Sequence, residues 1–177
     1  MRADARHVVL VGLMGVGKTT VGQLVAKTLQ RPFVDSDTVI EEATGRTVRE
    51  IWLTDGEPAF RALECDALRN ALDAGPPSVI AAAGGIVLSF ENRAILKSGG
   101  AFVVWLTADP STLVGRARRG HHRPLLDGDA DAALQAMAVA RESMYRDVAD
   151  VTVDAGARSV DDVATAVIEE FRVAARG

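Results

Sequence analysis

The stretch GLMGVGKT, residues 12–19, follows the pattern G-x-x-x-x-G-K-[ST], which is suited to binding phosphate. Glycines at three positions allow the backbone to curl so that its N–H groups point at phosphate oxygens. Lys18 would place a compact cation against the β- and γ-phosphates, and the hydroxyl of Thr19 is a ligand for Mg²⁺. We therefore predict a nucleotide-binding loop made of Gly12, Gly15, Val16, Gly17, Lys18, Thr19 and Thr20.

Two carboxylates, Asp35 and Asp37, stand one residue apart at the end of a short apolar run. Like charges this close cost free energy unless a cation or a function offsets their repulsion. In an extended backbone, residues i and i+2 point to the same side, so both could face a bound nucleotide. We expect Asp35 to hold Mg²⁺ through water, and Asp37 to accept the proton of an attacking hydroxyl. The alternative is that Asp37 only caps a helix that begins near Thr38.

Three other segments carry groups that could bind a ligand. The glycines of AGGIV (83–87) allow a close approach of the backbone. Arg61 precedes Glu64 by three residues in a helical pattern, so it could simply pair with that carboxylate. RARRGHHRPLL (116–126) concentrates arginines, and it reads either as a solvated basic loop or as a mobile lid that excludes water from an anionic nucleotide.

The elements that must position these groups alternate along the chain. Continuous apolar runs predict strands at 7–11, 32–34, 78–85, 101–106 and 151–153. Helical patterns cover 18–30, 38–54 (in two short pieces around residues 44–45), 57–74, 89–98, a segment from about 109, 128–148 and 159–175. We expect Ser89 and Ser159 to cap the helices that begin with them. Such alternation predicts a parallel sheet covered by helices on both faces, with ligands at the carboxyl ends of the strands.

The composition excludes several classes of protein. The net charge of −4 over 177 residues argues against a general nucleic-acid surface. The single cysteine, Cys65, excludes an internal disulfide framework and is compatible with a reducing compartment. The N-terminal apolar run is interrupted by glycines and ends in Lys18, so it is not typical of a signal peptide. We expect a cytoplasmic monomer that uses small molecules and binds neither nucleic acid nor membrane.

Taken together, these residues resemble the shikimate kinases, a P-loop family related to the nucleoside monophosphate kinases. The resemblance covers nearly the whole chain, and it rests on the order and spacing of GLMGVGKT (12–19), DSD (35–37), TGR (44–46), DGE..FR..E (55–64), AGG (83–85), RPLL (123–126) and R...Y (141–145). It implies one P-loop kinase domain over residues 1–177, a three-layer α/β/α fold with five parallel strands in the order 2-3-1-4-5, an acceptor-binding segment at about 36–64, and a mobile lid at about 115–125.

The resemblance also implies a reaction, the transfer of the γ-phosphate of Mg·ATP to the 3-hydroxyl of shikimate, on the route to chorismate and aromatic amino acids. Asp37 would meet the shikimate hydroxyls and act as the base. Arg61 and Arg141 would clamp the carboxylate, with Gly84 and Gly85 as a backbone wall against the ring.

The same resemblance implies roles for three further arginines. Arg123 would lie at the base of the lid, near the substrate and the γ-phosphate, and would belong to the catalytic group with Lys18 and Asp37. Arg116 would reach the ATP phosphates, and Arg158 would lie on the adenine side. The loop DAGARSV (154–160) lacks the asparagine and proline usual there, and His121 and His122 are read as solvated lid residues.

Ala83 is a departure, because the family usually has glycine at this position. We expect its N–H to stay available to a ligand, while its methyl group could change the acceptor. A kinase of the same scaffold acting on another hydroxylated acid or cyclitol, such as a gluconate-like compound, is therefore an alternative. A non-catalytic nucleotide-binding relative is a third, although the chain keeps Lys18, Thr19, Asp35, Asp37, Arg61, Arg123 and Arg141.

Overall fold

The computed structural model describes residues 5–73, 75–119 and 129–176. These residues form a five-stranded sheet, in the order β2-β3-β1-β4-β5, in which every pairing is parallel. The strands are β1 His7–Val11, β2 Phe33–Asp35, β3 Val79–Ala81, β4 Ala101–Thr107 and β5 Val151–Asp154. The α-helices are α1 Lys18–Leu29, α2 Ser36–Thr44, α3 Val48–Asp73, α4 Phe90–Leu96, α5 Pro110–Arg119, α6 Ala130–Val148 and α7 Val160–Ala174. The predicted fold class and strand order are confirmed.

The central strands are buried because their sequences are continuous apolar runs. All five residues of β1 are buried, and the side chains of a strand alternate between its two faces, so the sheet is covered on both sides. Helix α1 packs against α7, and α5 packs against α6. This arrangement brings the carboxyl ends of all strands, and the loops that follow them, to one edge of the sheet.

A separate apolar cluster holds α2 and α3 together. It consists of Ile40, Ile51, Phe60 and Ala67, with Trp52 packed against them. Helix α3 is interrupted at Gly56, whose φ of 83° and ψ of 172° are not helical, just before Pro58. The sequence pattern placed a break there, between pieces ending near 54 and beginning near 57. The predicted acceptor segment at 36–64 therefore has a small core of its own.

Two predicted boundaries that bear on the site were wrong. Strand β3 ends at Ala81 instead of residue 85, because the chain turns at residues 82–85 and leads into a short 3-10 helix, Ile86–Leu88. Helix α2 begins at Ser36 and not near Thr38. The predicted caps Ser89 and Ser159 are confirmed, since their hydroxyls accept from the N–H groups of Asn92 and Asp162. Within the described part of the chain, no helix is both long and apolar enough to cross a membrane.

Candidate active site

The glycine-rich loop connects β1 to α1 and has the shape that the motif predicts. Gly12 has φ 142°, and a Cβ atom there would collide with the carbonyl oxygen of Leu106. Gly17, the N-cap of α1, has φ 104°, a conformation that disfavours other residues. Both positions therefore require glycine, one for space and one for backbone conformation.

Lys18 folds back over this loop. Its Nζ donates to the carbonyl of Gly12 at 2.8 Å and to that of Leu13 at 3.1 Å. The loop borders a cavity of about 500 Å³, here called the P-loop cavity. Eight of the nine residues predicted to bind nucleotide line it, with Gly12 the exception: Gly15, Val16, Gly17, Lys18, Thr19, Thr20, Arg116 and Arg158. Gly12 contributes through the carbonyl that holds Lys18.

A second cavity, of about 490 Å³, lies beside the first and is here called the α2–α3 cavity. It is lined by the acceptor-side residues that the sequence predicted within the described part, namely Asp37, Arg61, Gly84, Gly85 and Arg141. Five residues border both cavities: Thr19, Asp35, Asp37, Ala83 and Gly84. Two ligands bound in these cavities would therefore meet at the paired carboxylates.

The two carboxylates reach this junction by a different geometry from the one expected. Asp35 ends β2, and Asp37 lies in the first turn of α2, so an extended backbone does not place them on one side. The cap-only alternative for Asp37 is also wrong, because the N-cap is Asp35, whose Oδ1 accepts from the N–H of Asp37 at 3.1 Å. The other oxygen, Oδ2, accepts from the hydroxyl of Thr19 at 2.6 Å.

Thr19 and Asp35 offer the hard oxygen donors that Mg²⁺ prefers. Across residues 5–73, 75–119 and 129–176, no group of three or more His, Cys, Asp or Glu side chains could hold a metal ion. A cation at this junction would therefore depend on ligand oxygens and water for most of its coordination, as Mg²⁺ bound with a nucleotide does.

Arg61 is held from several sides at the wall of the α2–α3 cavity. Its Nη1 contacts Glu64 at 2.6 Å, and its Nη2 contacts Glu57 at 3.0 Å. The guanidinium lies 5.2 Å from the ring centroid of Trp52. The pairing with Glu64 that the sequence suggested is confirmed, and it coexists with a place in the cavity wall. A Cβ atom on Gly85 would fall on this guanidinium, so the two residues are in close contact.

Glu64 is a site residue that the sequence indicated only as a partner of Arg61. It is 1% exposed and borders the α2–α3 cavity. Burial raises the pKa of its carboxyl to about 7, Arg61 opposes this, and the negative charge of Asp37 adds to it. Among the described residues, its Oε1 has no hydrogen-bond partner. The motif FR..E includes Glu64, but the sequence does not reveal that this side chain is buried.

On the opposite wall, Arg141 of α6 is 6% exposed, and its Nη1 donates to the carbonyl of Gly84 at 3.0 Å. The hydroxyl of Tyr145 donates to the same oxygen at 2.6 Å. Burial raises the pKa of Tyr145 to about 12, so this hydroxyl stays protonated near neutral pH. Tyr145 was part of the R...Y pattern, but the sequence indicated no role for it.

The expectation for the Ala83 amide was wrong. Its N–H donates to the Oγ of Ser36 at 2.8 Å, so it is not available to a ligand. Ser36 is itself buried and opens α2. This bond joins the turn after β3 to the start of α2, and Ala83 is 7% exposed where it borders the two cavities.

Arg116 and Arg158 face the P-loop cavity from α5 and from the loop after β5. Arg116 donates to the carbonyls of Ala155 and Gly156, and Arg158 donates to that of Asp162. Helix α5 ends at Arg119. Arg123, His121, His122 and most of the predicted lid lie outside the described residues.

The remaining wall of the α2–α3 cavity was not predicted residue by residue, although most of it lies within the predicted acceptor segment. These side chains come from the β1–α1 loop, from α2, from the connection between α2 and α3, and from the first half of α3: Met14, Thr38, Glu41, Thr47, Val48, Arg49, Trp52 and Phe60. Trp52 was the available signal, because it is a large aromatic residue within the predicted acceptor segment, but its orientation depends on the α2–α3 packing.

Comparison with known proteins agrees with this geometry. The family model for shikimate kinase matches residues 14–172. A shikimate kinase from Symbiobacterium thermophilum is 47% identical over 169 residues, covering 94% of this chain and 96% of its own. A structure of shikimate kinase from Acinetobacter baumannii in complex with shikimate has a TM-score of 0.91 at 33% identity, covering 96% of this chain and 94% of that one. A gluconokinase from Sinorhizobium meliloti, with a TM-score of 0.65 at 21% identity and covering 99% and 96%, shares the fold alone. The chain therefore belongs to the shikimate kinase family.

Proposed function

We propose that this protein transfers the γ-phosphate of ATP to the 3-hydroxyl of shikimate, giving shikimate 3-phosphate and ADP. The observation that supports this most is the meeting of two cavities at Thr19, Asp35 and Asp37, one walled by a phosphate-binding loop and the other by two arginines. Family membership supports the same reaction, as does the bound shikimate of the Acinetobacter baumannii relative.

On the nucleotide side, the P-loop cavity would hold ATP. The N–H groups of the loop and the N-terminal end of α1 suit phosphate oxygens, and Lys18 is already positioned over the loop. Arg116 and Arg158 border the same cavity and would contact the phosphates and the adenine side.

Thr19 and Asp35 would hold the Mg²⁺ that accompanies ATP, Thr19 directly and Asp35 through water. Bound there, Mg²⁺ would neutralise the charge that develops on the phosphate oxygens. The cation also explains why two carboxylates can stand together at this point, since it offsets their repulsion.

On the acceptor side, Arg61 and Arg141 would bind the carboxylate of shikimate. A planar guanidinium suits a carboxylate through paired hydrogen bonds. Asp37 would accept the proton of the 3-hydroxyl as that oxygen attacks phosphorus, and Gly84 and Gly85 would lie against the ring. Arg123 is proposed for the lid side of the transferred phosphate on the basis of the sequence pattern RPLL alone.

The alternative acceptor, another hydroxylated acid or cyclitol, has Ala83 as its only direct support. The amide of Ala83 is bonded to Ser36, which favours a tolerated local variation. A non-catalytic relative is disfavoured, because the sequence keeps Lys18, Thr19, Asp35, Asp37, Arg61, Arg123 and Arg141. We further propose that the chain acts as one kinase domain, as a monomer and in the cytoplasm.

The experiment is a measurement of ADP release with Mg·ATP in the presence of shikimate, gluconate, quinate or no acceptor. Strong release that depends on shikimate is expected. Strong release with another acceptor and weak release with shikimate would contradict the proposal, and Ala83→Gly would then be tested for recovery of shikimate turnover.

A further inference from the structure

The carbonyl oxygen of Gly84 accepts two side-chain hydrogen bonds from one helix. Tyr145 donates its hydroxyl at 2.6 Å, and Arg141 donates Nη1 at 3.0 Å. The two donors are four residues apart on α6, so they lie on the same face, one turn from each other. Tyr145 is 1% exposed and Arg141 is 6% exposed, so water does not compete easily for either bond.

Gly84 is also in contact with the phosphate-binding loop. A Cβ atom at this position would lie 3.4 Å from the carbonyl oxygen of Gly12 and 3.5 Å from the amide nitrogen of Met14. Gly84 borders both cavities. The hydrogen bonds to its carbonyl are therefore made where the phosphate-binding loop, the turn after β3 and α6 meet.

Tyr145 is itself held in a defined orientation. Its ring stacks on that of Trp105 in β4, with 5.7 Å between centroids and 19° between planes. Tyr145 does not line the α2–α3 cavity, whereas Arg141 does. The Tyr145 hydroxyl would therefore influence a bound acceptor indirectly, by its hydrogen bond to the Gly84 carbonyl that Arg141 also contacts.

We propose that Tyr145 is a positioning residue for the acceptor, whose hydroxyl holds the Gly84 carbonyl in the place against which Arg141 is oriented. This inference rests on the proposed function, because it concerns the site assigned to shikimate. One guanidinium donor is used on Gly84, and that bond sets the plane in which the others meet a carboxylate. Without the Tyr145 hydroxyl, the Gly84 carbonyl loses one of its two side-chain hydrogen bonds. The position of the carbonyl, and with it the orientation of Arg141, is then less restricted.

The test is Tyr145→Phe, which keeps the ring that stacks on Trp105 and removes the hydroxyl. We expect KM for shikimate to rise about threefold to tenfold, the range for losing one hydrogen bond, while kcat and KM for ATP stay within about twofold. In an Arg141→Lys background, the further rise on adding Tyr145→Phe should be much smaller, because the two residues act through one carbonyl. A purely structural role predicts instead a lower Tm and a smaller active fraction, with KM unchanged.

Ser78→Ala is the matched control. It also removes a buried hydroxyl that donates to a backbone carbonyl, that of Pro76 at 2.9 Å, but it does so beside the amino end of β3. KM for shikimate should not change in this variant. An unchanged KM in an active Tyr145→Phe protein, or fully additive effects with Arg141→Lys, would overturn the inference and leave the proposed function standing. Absence of shikimate-dependent ADP release from the wild-type protein would instead contradict the proposed function.

Discussion

The hydroxyl of Thr19 donates to Oδ2 of Asp35 at 2.6 Å, which joins the first turn of α1 to the carboxyl end of β2. The second oxygen of the same carboxylate caps α2 through the N–H of Asp37. One side chain thus connects the phosphate-binding loop to the helix that carries the proposed base. The spacing between the cation site and the base depends on this carboxylate.

Asp35→Asn should raise the Mg²⁺ concentration needed for half-maximal activity by about tenfold, the lower end of the range for losing an outer ligand of a metal. The amide oxygen can still cap α2, but the NH2 group that replaces Oδ2 cannot accept from the Thr19 hydroxyl, so the charge and that hydrogen bond are both lost. The measurement is ADP release against Mg²⁺ concentration at fixed ATP. The Tm without Mg²⁺ is the control for folding, and an unchanged Mg²⁺ requirement would count against the metal role.

Asp37→Asn should keep ATP binding and lower kcat by about 10²–10⁴-fold, because the attacking hydroxyl loses its proton acceptor. Glu41→Gln is the matched control, since Glu41 lies one turn further along α2 and borders the same cavity. Its side chain accepts from the N–H of Val48, which glutamine can also do. Near-normal kcat in Asp37→Asn would remove Asp37 from the mechanism.

Arg61→Lys should raise KM for shikimate more than KM for ATP. Lysine cannot make the two-pronged contact with a carboxylate, and it cannot hold Glu57 and Glu64 at once with the same geometry. Steady-state kinetics with each substrate varied in turn measures both constants. Arg69→Lys, on an exposed face of the same helix, is the control and should change neither constant.

His7 should make stability fall in mild acid. The residue is 7% exposed, and its Nδ1 accepts from the N–H of Ser78 at 3.1 Å, so protonation removes a buried acceptor. Burial lowers the pKa of His7, and the positive charge of Arg31 lowers it further. The unfolded chain therefore binds this proton more readily, so the stabilisation is complete above about pH 6.5 and is lost as the pH falls below that value.

The measurement for His7 is the free energy of unfolding from denaturant titrations between about pH 5 and 8, the range around the ordinary histidine pKa. In His7→Asn the decrease toward low pH should be smaller than in the wild type. A parallel pH dependence of the two proteins would show that His7 is not the group responsible.

Glu64 should act in the opposite direction. Its folded pKa of about 7 lies above the ordinary 4.5, so the folded protein binds this proton more tightly than the unfolded chain. The free energy of unfolding should therefore fall as the pH rises from 4.5 to 7, and the loss should be complete above that window. In Glu64→Gln this decrease should be absent. Identical pH profiles for the two proteins would contradict a raised pKa.

Local signals in the sequence were sufficient for much of the fold and for one side of the site. The loop at 12–19 could be recognised because its chemistry depends on spacing within one segment between a strand and a helix. Ser89 and Ser159 were recognisable as caps because a cap bonds to an N–H only a few residues ahead. The strand order came from the family resemblance, and the sheet confirms it.

Other features were decided by tertiary structure. Ser36 takes the N–H of Ala83, and Tyr145 binds the carbonyl of Gly84, across 47 and 61 residues of chain. Asp35 became the cap of α2 because β2 ends one residue before the helix begins, a boundary that an i, i+2 pattern does not reveal. The amino-acid sequence alone was enough to predict which chemical groups stand where a strand meets a loop, because that depends on short-range backbone geometry. Which distant groups they bind, and whether Glu64 is buried, depended on how the helices pack over the sheet.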